Sequence, residues 1–121
     1  MRRGLRLLLD REDDILVVAD DQDLAAAIAG VRRAQADVLA IDLQMLESAG
    51  DGATHPLGAR LPGVGIVAVT MSDLPALARR ALLTGVVGFV QKQFADDELA
   101  PAVRAAARGE VYVSPPIAAR L

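Results

Sequence analysis

The 121-residue chain, 53% hydrophobic with only 2% aromatic residues, is long enough for one domain with a core of Ala, Val, Leu and Ile rather than rings. A formal net charge of −3 argues against nucleic acid as a direct partner, because neutralising phosphates needs a concentrated basic face. The absence of cysteine excludes disulfides and thiolate metal sites, and the apolar run after Met1 is cut by Asp10, Arg11 and Glu12 before it could serve as a signal segment or membrane span. A soluble cytoplasmic protein is expected.

Leu5, Leu8 and Leu9 form a helical stripe that predicts a short first helix, ended by the charged run at 11–14. Ile15–Ala19 is a continuous apolar run of strand type. It leads into a helix whose buried stripe is Leu24, Ala27, Ile28 and Val31, preceded by Asp20, Asp21 and Asp23, where carboxylates suit the N-terminal dipole. Val38–Ile41 predicts a buried strand closing on Asp42. In the stretch 43–63, Pro56 and Gly58 make any helix short or distorted.

Val64–Val69 predicts the next strand, closing on Thr70; Asp73 and Pro75 then open a helix whose stripe is Leu74, Leu77, Ala78, Ala81 and Leu82, ended by Gly85. Val86–Val90 is a further strand, followed by Lys92. Asp96, Asp97 and Glu98 begin a helix that buries Leu99, Ala102, Val103 and Ala106 and stops at Gly109. Residues 110–114 read as an extended segment closing a domain at 1–114, and 115–121 as the start of a linker. Apolar strands separated by amphipathic helices imply an α/β fold, a doubly wound parallel sheet of four recognisable strands covered on both faces.

In such sheets the carboxyl ends of the strands build the site. An acid, a hydroxyl and a lysine, Asp42, Thr70 and Lys92, each close or follow a different strand and are expected to converge there. Asp20, Asp21 and Asp23 read first as capping and dipole residues. His55, the sole histidine, reads as a surface loop residue, and Gly63-Val64-Gly65 as a turn, because a strand and not a helix follows it. No nucleophile motif of an enzyme is present.

The pieces GLRLLLDREDDILVVAD, ADVLAIDLQM, PGVGIVAVTMSD, RRALLTGVVGFVQK and AAARGEVYVSP, in this order from Gly4 to Leu121, resemble the receiver domain of NarL/LuxR-type response regulators. The spacings of 28 residues from Asp42 to Thr70 and 22 from Thr70 to Lys92 suit that family. The resemblance implies a flavodoxin-like fold and a role in two-component signal transduction and transcription regulation. It further implies Asp42 as phosphoacceptor for a histidine kinase, Thr70 and Lys92 as contacts of the phosphoryl group, Phe89 as switch aromatic, Mg²⁺ as cofactor and a homodimer as assembly. A phosphorylation-independent pseudo-receiver, acting as an interaction module, is the alternative.

Against the family pattern, the chain opens within what resembles the first helix, so it is expected to be incomplete at its N-terminus, without the strand that carries the family's metal-binding acids. The turn after Asp42 reads Met45-Leu46-Glu47-Ser48-Ala49-Gly50, where the family has Met-Pro-Gly-x-Asp-Gly, and Gln93 follows Lys92. A central strand missing from the family order would strand unpaired backbone groups between Ile15–Ala19 and Val38–Ile41. One resolution slides Ile15–Ala19 against Val38–Ile41 and sets Asp20 and Asp21 beside Asp42 as a substitute metal site. Others are exposure of the edge to another chain, and a misplaced start or fragment boundary.

Overall fold

A computed structural model describes residues 2–21, 23–48 and 57–121. Four parallel strands lie side by side in the order β1 (Val38–Asp42), β2 (Gly65–Thr70), β3 (Gly88–Gln91) and β4 (Tyr112–Val113). Around them run α1 (Arg2–Asp10), α2 (Leu24–Ala34), α3 (Leu43–Ser48), α4 (Leu57–Arg60), α5 (Pro75–Leu83), α6 (Ala95–Ala107) and α7 (Pro115–Ala118), with a 3₁₀ turn at Lys92–Phe94. His55, Pro56 and the Glu47 side chain lie outside the described residues.

The sheet is central because its strands have no polar face. Ile66, Val67, Ala68 and Val69 of β2 are all fully buried, as expected of a parallel strand sandwiched between two helical layers. Alternation splits them: Ile66 and Ala68 join Leu24, Ile28 and Val31 of α2, Leu57 of α4 and Ala78 and Ala81 of α5 in one layer. Val67 and Val69 join Leu5 of α1 and Leu99, Ala102 and Val103 of α6 in the other. The α6 layer sits so close that a Cβ on Gly65 would lie 2.8 Å from the Ala106 Cβ. Only glycine admits that approach.

Local signals set the helix ends. Asp23 caps α2, its carboxylate accepting the Ala26 N–H at 2.8 Å. Gln35 ends the helix at φ 54°, a left-handed conformation in which its N–H reaches the Val31 carbonyl. Pro75 opens α5, where its missing N–H costs nothing, and Asp96, Asp97 and Glu98 occupy the first turn of α6. The stretch 43–63 yields only the short helices α3 and α4 among its described residues, in keeping with Gly58 inside it.

Two expectations are corrected. Ile15–Ala19 belongs to no strand and no helix, and residues 16–19 make no backbone hydrogen bond among the described residues. The run is held away from β1 at both ends. Arg104 of α6 bonds Asp14 and Glu12, keeping the Asp14 carboxyl below its usual pKa chiefly through that hydrogen bond, and Arg6 of α1 lies 3.5 Å from Asp20. The slide toward β1 therefore does not take place, and the sheet's fourth strand is instead β4, from the expected extended tail. Tyr112 N–H bonds the Val87 carbonyl at 2.8 Å and Ser114 N–H the Phe89 carbonyl at 2.9 Å. Residues 115–121, expected as the beginning of a linker, start with α7, and Ile117 is fully buried in the α2/α5 layer.

Candidate functional site at the carboxyl edge of the sheet

Strand register assembles the site. Asp42, the last residue of β1, stands opposite Val69; Thr70, the last of β2, stands opposite Gln91; and Lys92 follows Gln91 directly. Three consecutive strands thus deliver an acid, a hydroxyl and a lysine to one edge, as the sequence implied.

Asp42 is half-buried. Its Oδ1 accepts the Gln44 N–H at 2.8 Å, the turn that starts α3, while Oδ2 has no protein hydrogen bond among the described residues. Thr70 is buried, and its Oγ1 accepts the Ser72 N–H at 3.0 Å; Ser72 Oγ in turn accepts the Leu74 N–H at 3.1 Å. With its oxygen held as an acceptor, the Thr70 O–H remains free to donate. Asp42 and Thr70 border one small cleft of about 160 Å³, completed by Leu43, Gln44, Met71, Ser72 and Leu77. Lys92 is exposed in the 3₁₀ turn and joins none of the ion pairs among the described residues, so its flexible ammonium is available to an incoming anion.

Phe89 is fully buried and faces the same layer as Thr70, two residues further along in register. Beside it Gln91 is buried with Oε1 unpartnered, while its N–H donates to Ser114 Oγ at 2.9 Å, and that hydroxyl donates to Glu98 Oε1 at 2.7 Å. Neither this polar chain nor the roles of Ser72 and Gln44 was visible in the sequence, because they depend on a turn and on a β3–β4 pairing that leave no periodic signal.

The acids proposed for metal binding are not brought together. Asp20 neighbours Arg6, and the Asp21 carboxylate packs on α2, where a Cβ on Gly30 would lie 2.6 Å from its Oδ2. Among the described residues no three acidic or histidine groups are close enough to share an ion. Mg²⁺ demands near-octahedral oxygen ligands at about 2.0–2.1 Å, and Asp20, Asp21 and Asp42 do not supply such a set. No helix among the described residues is long and apolar enough to cross a membrane.

The family model for the response regulator receiver domain matches residues 1–104. The transcriptional regulatory protein UhpA of Salmonella typhimurium is 34% identical, with 100% of this chain and 60% of that protein covered. DegU of Brevibacillus brevis is 31% identical over 96% of this chain and 49% of its own length, so the chain spans about half to three fifths of these relatives. Among solved structures, a LuxR-family two-component response regulator from Aurantimonas sp. SI85-9A1 superposes with TM-score 0.84 at 30% identity, covering 97% of this chain and 84% of that one. The isolated receiver domain of RcsB from Salmonella enterica serovar Typhimurium, with phosphomimetic BeF₃⁻, gives 0.80 at 26%, covering 99% and 89%. RcsB has also been solved as a DNA complex, so the exclusion of nucleic acid partners, read from net charge, finds no support among these proteins. With the parallel sheet, the Asp-Thr-Lys edge and these matches in agreement, the chain belongs to the response regulator receiver domain family.

Proposed function

We propose that this chain is the phosphoacceptor module of a two-component response regulator, with Asp42 taking a phosphoryl group from a histidine kinase. The observation that carries the reading is the register that sets Asp42 and Thr70 around one cleft, with Lys92 next along the edge. An Asp42 carboxylate oxygen attacks the phosphorus of a phosphohistidine; the P–O bond forms as the P–N bond breaks, and the leaving imidazole retains the electron pair. Charge spreads over the equatorial oxygens during transfer, where the Thr70 O–H and the Lys92 ammonium are placed to stabilise it.

The acyl phosphate draws the Thr70 hydroxyl toward itself. Space then opens beside Thr70 on the layer that holds Phe89, and Phe89 repacks into it. That motion carries the signal to the outer surface of α5 and β4, and from there to a homodimer partner and to transcription through the rest of a longer regulator. The comparisons give no support to a phosphorylation-independent module.

The test is intact mass after incubation with Mg²⁺ and acetyl phosphate. Wild type is expected to gain one phosphate, Asp42→Asn none, and Thr70→Ala and Lys92→Ala to gain it at least tenfold more slowly. A folded wild-type sample that gains no phosphate overturns the reading in favour of the interaction module.

A further inference from the structure

Among the described residues, Thr70, Gln91 and Ser114 are the polar side chains that the core buries. Thr70 and Ser114 are hydrogen-bonded, but Gln91, only 3% exposed, holds its Oε1 without a donor. A buried carbonyl oxygen left unpaired is unfavourable, and an apolar side chain of the same length would avoid the penalty. The orphaned oxygen points to a role that needs an acceptor at this place.

Register supplies the donor. Gln91 is the Cα partner of Thr70, and opposed residues of neighbouring parallel strands project to the same face. Phe89 and Ala68, two residues back on each strand, lie in the α2/α5 layer, so alternation puts Gln91 and Thr70 on that side as well. Neighbouring strands are about 4.8 Å apart, a gap that the two methylene groups of Gln91 can span. Of the two buried hydroxyls, Ser114 donates to Glu98 Oε1, whereas Thr70 accepts the Ser72 N–H and keeps its own proton free.

Thr70 also stands between two acceptors. Because β2 lies between β1 and β3, Thr70 has Asp42 on one flank, across the small cleft, and Gln91 on the other. A hydroxyl has one proton and serves one acceptor well at a time. The structure shows the hydroxyl committed to neither, with a rotation about the Gln91 side chain sufficient to close the second bond.

We propose that Gln91 is a positioning residue for Thr70: its carboxamide oxygen and the phosphoryl group on Asp42 compete as acceptors for the Thr70 O–H. The proposal rests on the phosphoacceptor reading of Asp42 and adds a brake to it. A bond to Gln91 stabilises the chain before transfer and is lost when Thr70 turns to the phosphoryl group, so it slows the gain of phosphate.

The test is a double-mutant cycle of Gln91→Met, which keeps the length of the side chain and removes the acceptor, with Thr70→Val, which removes the donor. With Mg²⁺ and acetyl phosphate, followed by intact mass over time, Gln91→Met is expected to gain phosphate about fivefold faster than wild type, the size of one ordinary net hydrogen bond. In the Thr70→Val background the same substitution should change the rate less than twofold. Urea unfolding without phosphodonor should show the two substitutions coupled by about fivefold in the folding equilibrium constant. Far-UV circular dichroism checks folding, and Gln91→Leu takes the place of Gln91→Met if the latter does not fold. Equal acceleration in both backgrounds overturns the inference, since relief of a buried orphan oxygen would act without Thr70. Phosphate gained by wild type with no unfolding coupling overturns the inference alone. A folded wild type that gains no phosphate refutes the phosphoacceptor reading and the competition with it, even where the coupling is present.

Discussion

Ser114→Ala tests whether the β4 tail is an integral part of the fold. The hydroxyl is fully buried and makes two bonds, accepting the Gln91 N–H at 2.9 Å and donating to Glu98 Oε1 at 2.7 Å. Replacing it by a methyl group leaves the Gln91 N–H without a partner at a residue whose side-chain Oε1 already lacks one. Glu98 is half-buried and regains water, so its loss is small; the stranded amide bears the larger penalty. A buried donor left unpaired costs about 1–3 kcal/mol, so the variant is expected to lose about 2 kcal/mol. For a domain of this size that is roughly 6–10 °C in melting temperature. Urea unfolding can be followed by far-UV circular dichroism and by tyrosine emission, which reports on Tyr112 alone because the chain has one Tyr and no Trp. Glu98→Gln serves as the comparison, since its amide oxygen still accepts from Ser114 and should cost less. A Ser114→Ala loss below about 0.5 kcal/mol would refute the burial of this network.

The Tyr112 hydroxyl is pushed above its usual value by desolvation, then by the Glu98 charge and hydrogen bond, so its absorbance titration should have a midpoint above the ordinary value of about 10. The proton is held more tightly in the folded state, so the stabilisation is full below about pH 10 and is lost as pH rises through the folded midpoint; Glu98→Gln should lower that midpoint without abolishing the shift. Ile117→Ala should cost about 2–5 kcal/mol in urea unfolding, against almost nothing for the exposed Leu121→Ala, because Ile117 is fully buried in the core. Gly65→Ala should destabilise by at least about 1–3 kcal/mol in the same assay, since its methyl group would meet the backbone of Ala106 at 2.8 Å and push α6 off the sheet.

What could be read from the chain depended on how local its cause is. The helices α2, α5 and α6 announce themselves through stripes three and four residues apart and through Asp23, Pro75 and Asp96, all of which act within one or two turns. The placement of Asp42, Thr70 and Lys92 at the carboxyl ends of neighbouring strands was also legible, because parallel strands alternating with helices bring those ends to one edge whatever the loops do. Ile15–Ala19 and Tyr112–Val113 went the other way. The first has the stronger strand composition and forms no ladder; the second is a two-residue strand, yet it is the one that pairs. Strand character resides in the neighbour that completes the hydrogen bonds. β3 presents its free edge to the tail within reach of α6, while Arg104 and Arg6 secure the two ends of 14–20 away from β1. Strand propensity in Ile15–Ala19 thus goes unused in the sheet, and composition alone carries no record of which neighbour a run of residues meets.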